Sequence, residues 1–207
     1  MRQAWRADVW RLALLIAASE QCCMLVASIP LTKQDLQAKT WISWGGRVDY
    51  RDPAVSAALR PVVHRGDRIF LRHTSSGNNL DVENGELRAR RRVHGTRQTF
   101  TIDKLEGGAV CGDIWPGDTI FLTAASGMTL EVVGEEVRLN SAARGPRQAF
   151  VLEVHNPDPG PLRAGSTVFF RSHTGTYLEV FASKMKARFV HRGGLQAFVV
   201  EKTRSNY

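Results

Sequence analysis

Residues 171–200 read "RSHTGTYLEVFASKMKARFVHRGGLQAFVV", and the closing "LQAFVV" has two earlier counterparts, "RQAFVL" at 147–152 and "RQTFTI" at 97–102. Working outward from these tails gives three aligned copies. They begin with "GDRIFLRHTSSGNNLDVENGELRARRR" at Gly66, "GDTIFLTAASGMTLEVVGEEVRLNS" at Gly117 and "GSTVFFRSHTGTYLEVFASKMKARF" at Gly165. Leu80, Leu130 and Leu178 keep the register, as do Gln98, Gln148 and Gln196, and Phe100, Phe150 and Phe198. A fixed period near fifty residues is the mark of a repeat architecture.

Each copy holds four short apolar runs with period-two alternation between turn residues, which predicts strands. In the first copy they fall at about 68–72, 79–83, 86–90 and 98–103, with "ENG" a hairpin signal because Asn and Gly tolerate positive φ. Twelve strands with no helical period between Gly66 and Thr203 predict an all-β chain closed as a β-trefoil. A propeller of three blades rarely closes, and an open stack would leave sheet edges bare, whereas a trefoil pairs its first strand with its last.

Alternation also assigns faces. In "LDV", "LEV" and "LEV" the Leu and Val turn inward, which predicts that Asp81, Glu131 and Glu179 point outward. In the third strands Leu87 with Ala89, Val137 with Leu139 and Met185 with Ala187 turn inward. Arg88, Arg138 and Lys186 are then outward, followed by Arg90, Asn140 and Arg188. The recurrent Q-x-F places Phe in the core, with the Gln amide expected to satisfy backbone groups at a loop.

Composition bounds the rest. The 207 residues suit one or two domains, and 43% hydrophobic residues are enough to bury a core. The net charge is +8 for the chain, but residues 61–207 carry 20 Lys and Arg against 15 Asp and Glu, only +5. An anionic partner is thus permitted rather than demanded. Cys22, Cys23 and Cys111 match no zinc spacing and no disulfide framework, which favours a reducing compartment.

"FLRHTSSGNNLDV", "FFRSHTGTYLEV", "VRLNSAARGPRQAFVLE" and "LRARRRVHGTRQTFTI" together resemble the fascin-like β-trefoil, over about Gly66 to Lys202. The resemblance implies actin-filament binding and bundling, hence a cytoskeletal protein of the cytoplasm. Fascins carry four tandem trefoils and this chain one, so crosslinking would require a dimer or a second site. On this reading Arg88, Arg90, Arg91, Arg92, Arg138, Lys186 and Arg188 form a basic face for an anionic filament.

The alternative is a lectin-like trefoil binding carbohydrate or sulfated glycan, with Glu179, Tyr177 and Phe181 as its pocket, since only copy three places an aromatic beside its acid. Phe181 and Phe189 either contribute to such a face or cover the N-terminal segment. No metalloprotease, P-loop, nucleophile-elbow or Cys-x-x-Cys motif occurs, so a non-catalytic module with no cofactor or metal is expected. No stacking platform interleaves with the arginines, so nucleic acid is not an expected partner. Residues 1–60 read as an extension: a helix at about 5–28, ending before Pro30, then a segment with Trp41 and Trp44 expected to pack on the trefoil. Its apolar run is too short to span a membrane. "VAS" at 26–28 keeps a targeting peptide open as the alternative, with a secreted or organellar location. The expected organisation is therefore an extension at 1–60 and a trefoil at 61–207, with repeats at about 66–104, 117–154 and 165–202.

Overall fold

The structure, a computed structural model, describes residue 56 and residues 59–105, 112–155 and 160–203. The expected helix at 5–28, the segment with Trp41 and Trp44, and all three cysteines lie outside the described residues.

Twelve strands follow the three copies. Copy one supplies β1 (Arg68–His73), β2 (Asn79–Glu83), β3 (Glu86–Arg91) and β4 (Phe100–Lys104). Copy two supplies β5 (Thr119–Ala124), β6 (Thr129–Val133), β7 (Glu136–Ser141) and β8 (Phe150–Val154). Copy three supplies β9 (Thr167–Ser172), β10 (Tyr177–Phe181), β11 (Lys184–Phe189) and β12 (Phe198–Lys202). Each copy starts on a glycine with positive φ, Gly66 at 84°, Gly117 at 91° and Gly165 at 85°, a turn that an L side chain would strain.

The first and fourth strands of every copy build a closed antiparallel ring. β1 pairs with β4, β4 with β5, β5 with β8, β8 with β9, β9 with β12, and β12 returns to β1. Closure removes the edges that an open sheet would present. The second and third strands form the hairpins β2–β3, β6–β7 and β10–β11. These meet one another through β11, which bridges to β3 at Lys184↔Arg88 and to β7 at Lys186↔Glu136. The result is a β-trefoil-like, all-β fold with threefold pseudosymmetry.

The core repeats as the sequence does. Leu80, Leu130 and Leu178 are fully buried, and so are Phe100, Phe150 and Phe198. At the base of the barrel Val63, Ile114 and Leu162, one per copy, are buried and joined by a cyclic set of backbone bonds. Val63 N–H donates to Leu162 (2.8 Å), Leu162 to Ile114 (2.7 Å) and Ile114 to Val63 (3.0 Å).

Two expectations are corrected. Gln98, Gln148 and Gln196 do not open the fourth strands but end one-turn 3-10 segments, Thr96–Gln98, Pro146–Gln148 and Gly194–Gln196. Asp81, Glu131 and Glu179 do not face solvent: they are 4%, 9% and 0% exposed. The reason is layering. Each second strand lies over the core on one side and under the 3-10 segment of its own copy on the other, so both of its faces are covered.

Candidate functional site

The carboxylates expected on the surface are internal fasteners. In copy two the Gln148 amide donates to Glu131 Oε2 (2.8 Å) while its carbonyl accepts the Gly145 N–H (3.0 Å). In copy three the Gln196 amide donates to Glu179 Oε2 (2.9 Å), and Arg188 Nε donates to Glu179 Oε1 (2.5 Å). Copy one has the shorter Asp81, whose buried Oδ1 has no hydrogen-bond partner; the buried Asn79 Oδ1 two residues earlier has none either. Burial pushes the Asp81 carboxyl above its ordinary range. His73, buried at the end of β1 with Nδ1 2.9 Å from Ser76 Oγ, is correspondingly held below the usual histidine value by burial.

The three residues expected to form a pocket, Tyr177, Glu179 and Phe181, have different surroundings. Glu179 is consumed by Gln196 and Arg188. Tyr177 is buried and donates its hydroxyl to both oxygens of Glu153, each at 3.0 Å. Burial and that bond push the phenol up, so it stays a donor. Phe181 is 49% exposed, with the Arg188 guanidinium 4.2 Å over its ring and 5.1 Å from that of Phe189, itself 46% exposed.

The expected basic face is largely paired. Arg88 binds Glu86, Arg90 binds Glu83, Lys186 binds Glu136 and Arg188 binds Glu179. These pairs hold the Glu86 and Glu136 carboxyls below their ordinary range. Arg92 reaches the Ser76 carbonyl at 3.4 Å. Arg91 and Arg138 are exposed and make no ion pair among the described residues.

A second threefold set lies on the outer wall of the barrel, and sequence reasoning overlooked it. Phe70, Phe121 and Phe169 occupy one position of the first strands, directly across from Glu201, Asp103 and Glu153 of the neighbouring fourth strands. The residue before each 3-10 segment's leading glycine covers the ring. His94 stacks on Phe70 with centroids 4.3 Å apart and planes 14° apart, and it contacts Glu201 at 2.9 Å. Arg144 lies 5.7 Å from Phe121 and binds Asp103 at 2.5 Å. Arg192 lies 5.5 Å from Phe169 and binds Glu153 at 3.3 Å. The signal was present in the sequence, since the phenylalanines, acids and cations each recur at the repeat spacing.

In copy three a cleft lies beside this unit. The cleft, of about 510 Å³, is lined by Phe169 and Ala197 on its apolar side. Thr74, His155, Thr167, Arg192 and the Gly193–Gly194 backbone complete it. Arg171 Nε also binds Glu153 (3.0 Å), so Glu153 ties down Tyr177, Arg171 and Arg192 together behind the cleft. His155 meets Phe169 edge-on at 6.2 Å. A pocket with one apolar wall and a few convergent polar groups suits a small polar ligand. Among the described residues no cluster of metal-binding side chains occurs, and no helix is long and apolar enough to cross a membrane.

No protein-family model and no curated protein matches the chain by sequence. Solved structures do match in fold. The SDF2-like protein from Arabidopsis thaliana superposes with a TM-score of 0.56 at 10% identity, covering 68% of this chain and 94% of that one. SeviL bound to asialo-GM1 saccharide gives 0.51 at 16% identity, covering 67% and 99%. The Pmt1-Pmt2 protein O-mannosyltransferase complex of S. cerevisiae, bound to its sugar donor, gives 0.55 at 16% identity, covering 69% of this chain and 26% of that one. At these identities the likeness is one of fold: the chain shares a β-trefoil-like architecture with these proteins.

Proposed function

We propose that the chain is a non-catalytic glycan-binding module whose site is the copy-three cleft. The observation that carries this reading is the pairing of an apolar wall, Phe169 and Ala197, with a ring of hydrogen-bonding groups from Thr74, His155, Thr167 and Arg192. A sugar ring presents apolar C–H faces and polar hydroxyl edges, and such a cleft meets both at once. Support also comes from SeviL, a protein of the same fold that binds a saccharide.

The fascin-like, actin-binding reading rests on the hairpin and Q-x-F motifs. The Q-x-F motif has an architectural use in copies two and three, where its Gln holds a buried acid. Four of the seven cations on its expected face, Arg88, Arg90, Lys186 and Arg188, are neutralised in ion pairs. The glycan reading is therefore preferred.

A survey of immobilised glycans followed by calorimetric titration tests it. The parent chain is expected to bind at least one glycan, and Thr167→Trp, which fills the cleft from a strand position that tolerates aromatics, is expected to weaken binding by about tenfold or more. Absence of glycan binding, or binding that Thr167→Trp leaves intact while the fold is unchanged, would sink the proposal.

A further inference from the structure

A second chamber borders the copy-three cleft at His155 and Thr167. Both residues line the first cleft and also a neighbouring one of about 200 Å³, whose other walls include Arg60, Arg163 and Gly165. The rung between the two chambers is fastened by the His155 N–H donating to the Thr167 carbonyl at 2.8 Å. Along this line Gly165, Thr167 and Phe169 succeed one another at alternate positions.

Two arginines, Arg60 and Arg163, line the second chamber together. Arg65, Arg72, Arg88, Arg90, Arg144 and Arg171 each bind a carboxylate. Arg60 and Arg163 bind only backbone: Arg60 Nη1 donates to the Gly165 carbonyl at 3.3 Å, and Arg163 Nη1 to the Arg60 carbonyl at 2.9 Å. Neither makes an ion pair among the described residues, and no described acidic side chain lines either chamber. Among the described residues most of their guanidinium donors have no hydrogen-bond partner, in the planar geometry that suits a sulfate or carboxylate.

Gly165 supplies an independent sign that this corner is specialised. A Cβ there would stand 2.9 Å from Arg60 Nη1, so the guanidinium lies directly on the glycine; at the equivalent Gly66 and Gly117 nothing comes within 4 Å. The glycine that every copy needs for its turn has, in copy three alone, become the floor of an arginine.

Building on the glycan reading, we propose that the ligand is an oligosaccharide bearing an anionic substituent. One sugar ring occupies the Phe169 cleft, and the sulfate or carboxylate of a linked unit sits between Arg60 and Arg163. The two chambers are subsites of one groove, and the second supplies charge selectivity.

The test uses the full chain and two pairs of probes, lactose against sulfated lactose and the asialo-GM1 oligosaccharide against its sialylated counterpart. The anionic member of at least one pair is expected to bind about tenfold more tightly, the gain of one charge-assisted contact. The pair that shows the gain identifies sulfate or carboxylate as the substituent. The Arg60→Ala/Arg163→Ala variant is expected to erase that gain and leave the neutral probe within about twofold of parent. Equal binding of neutral and anionic probes by the parent, or a gain that survives in the variant, overturns the second subsite and leaves the glycan reading standing. Failure of every probe, together with absence of binding in the glycan survey, overturns both.

Discussion

Asp81 shows how one methylene group changes the state of a residue. Its equivalents Glu131 and Glu179 reach a glutamine amide, whereas Asp81 leaves a buried oxygen unpartnered. Lengthening it by Asp81→Glu is expected to bring the carboxylate to Gln98 and stabilise the protein by about 1 kcal/mol, read from urea unfolding. The pH dependence has a definite sign. Burial raises the folded carboxyl above its unfolded value, so Asp81's contribution is full below about pH 4 and is lost as pH rises through the folded value. Asp81→Asn should therefore gain stability relative to the parent on going from acidic to neutral pH. A difference that does not change with pH would show that Asp81 is not the group responsible.

At the scale of elements, the three hairpins are unequal in their turns. Copy one turns through Asn84 and Gly85 at φ of 53° and 77°, and copy two through Gly134 at 63°. Copy three turns through Ala182 and Ser183 at 47° and 68°, left-handed positions with no glycine or asparagine to relieve them. Replacing this pair by Asn-Gly, as Ala182→Asn with Ser183→Gly, is expected to raise stability by about 1 kcal/mol without moving β10 or β11. The Ser183 carbonyl already accepts the Ala89 N–H at 2.9 Å, a backbone bond that the change preserves. A lower melting temperature in the variant would mean that the native side chains contribute contacts beyond the turn itself. The three 3-10 segments are the other elements the sequence concealed: a single turn has no period to detect, and Q-x-F reads equally well as the start of a strand.

The whole molecule is held closed at two ends. Above, the hairpins join through β11; below, Val63, Ile114 and Leu162 close a ring of three backbone bonds. Ile114 is fully buried, and Ile114→Ala is expected to cost about 2–5 kcal/mol, most of it from the cavity left where three copies meet. Loss of under about 1 kcal/mol in denaturant unfolding would show that the base collapses to fill the gap and does not anchor the barrel. The same threefold plan explains why the outer aromatic units occur three times. Symmetry repeats the scaffold, and departures such as Thr123 in place of Arg72 and Arg171 set the faces apart.

By itself the sequence determined the number of copies, the register of their strands and the inward rows of Leu, Val and Phe. Those features are local: a period of two and a spacing near fifty depend only on which residues neighbour one another along the chain. The tertiary structure decided which outward-looking positions remain outward. Glu131 and Glu179 are covered by 3-10 segments seventeen residues away in sequence, and Lys186 meets Glu136 across fifty. Alternation assigns a side chain to a face of its strand, but burial and charge pairing depend on what packs on that face. The same holds for the groove: Thr74, His155, Thr167 and Arg192 belong to four separate stretches of chain, and only closure of the barrel brings them to one wall.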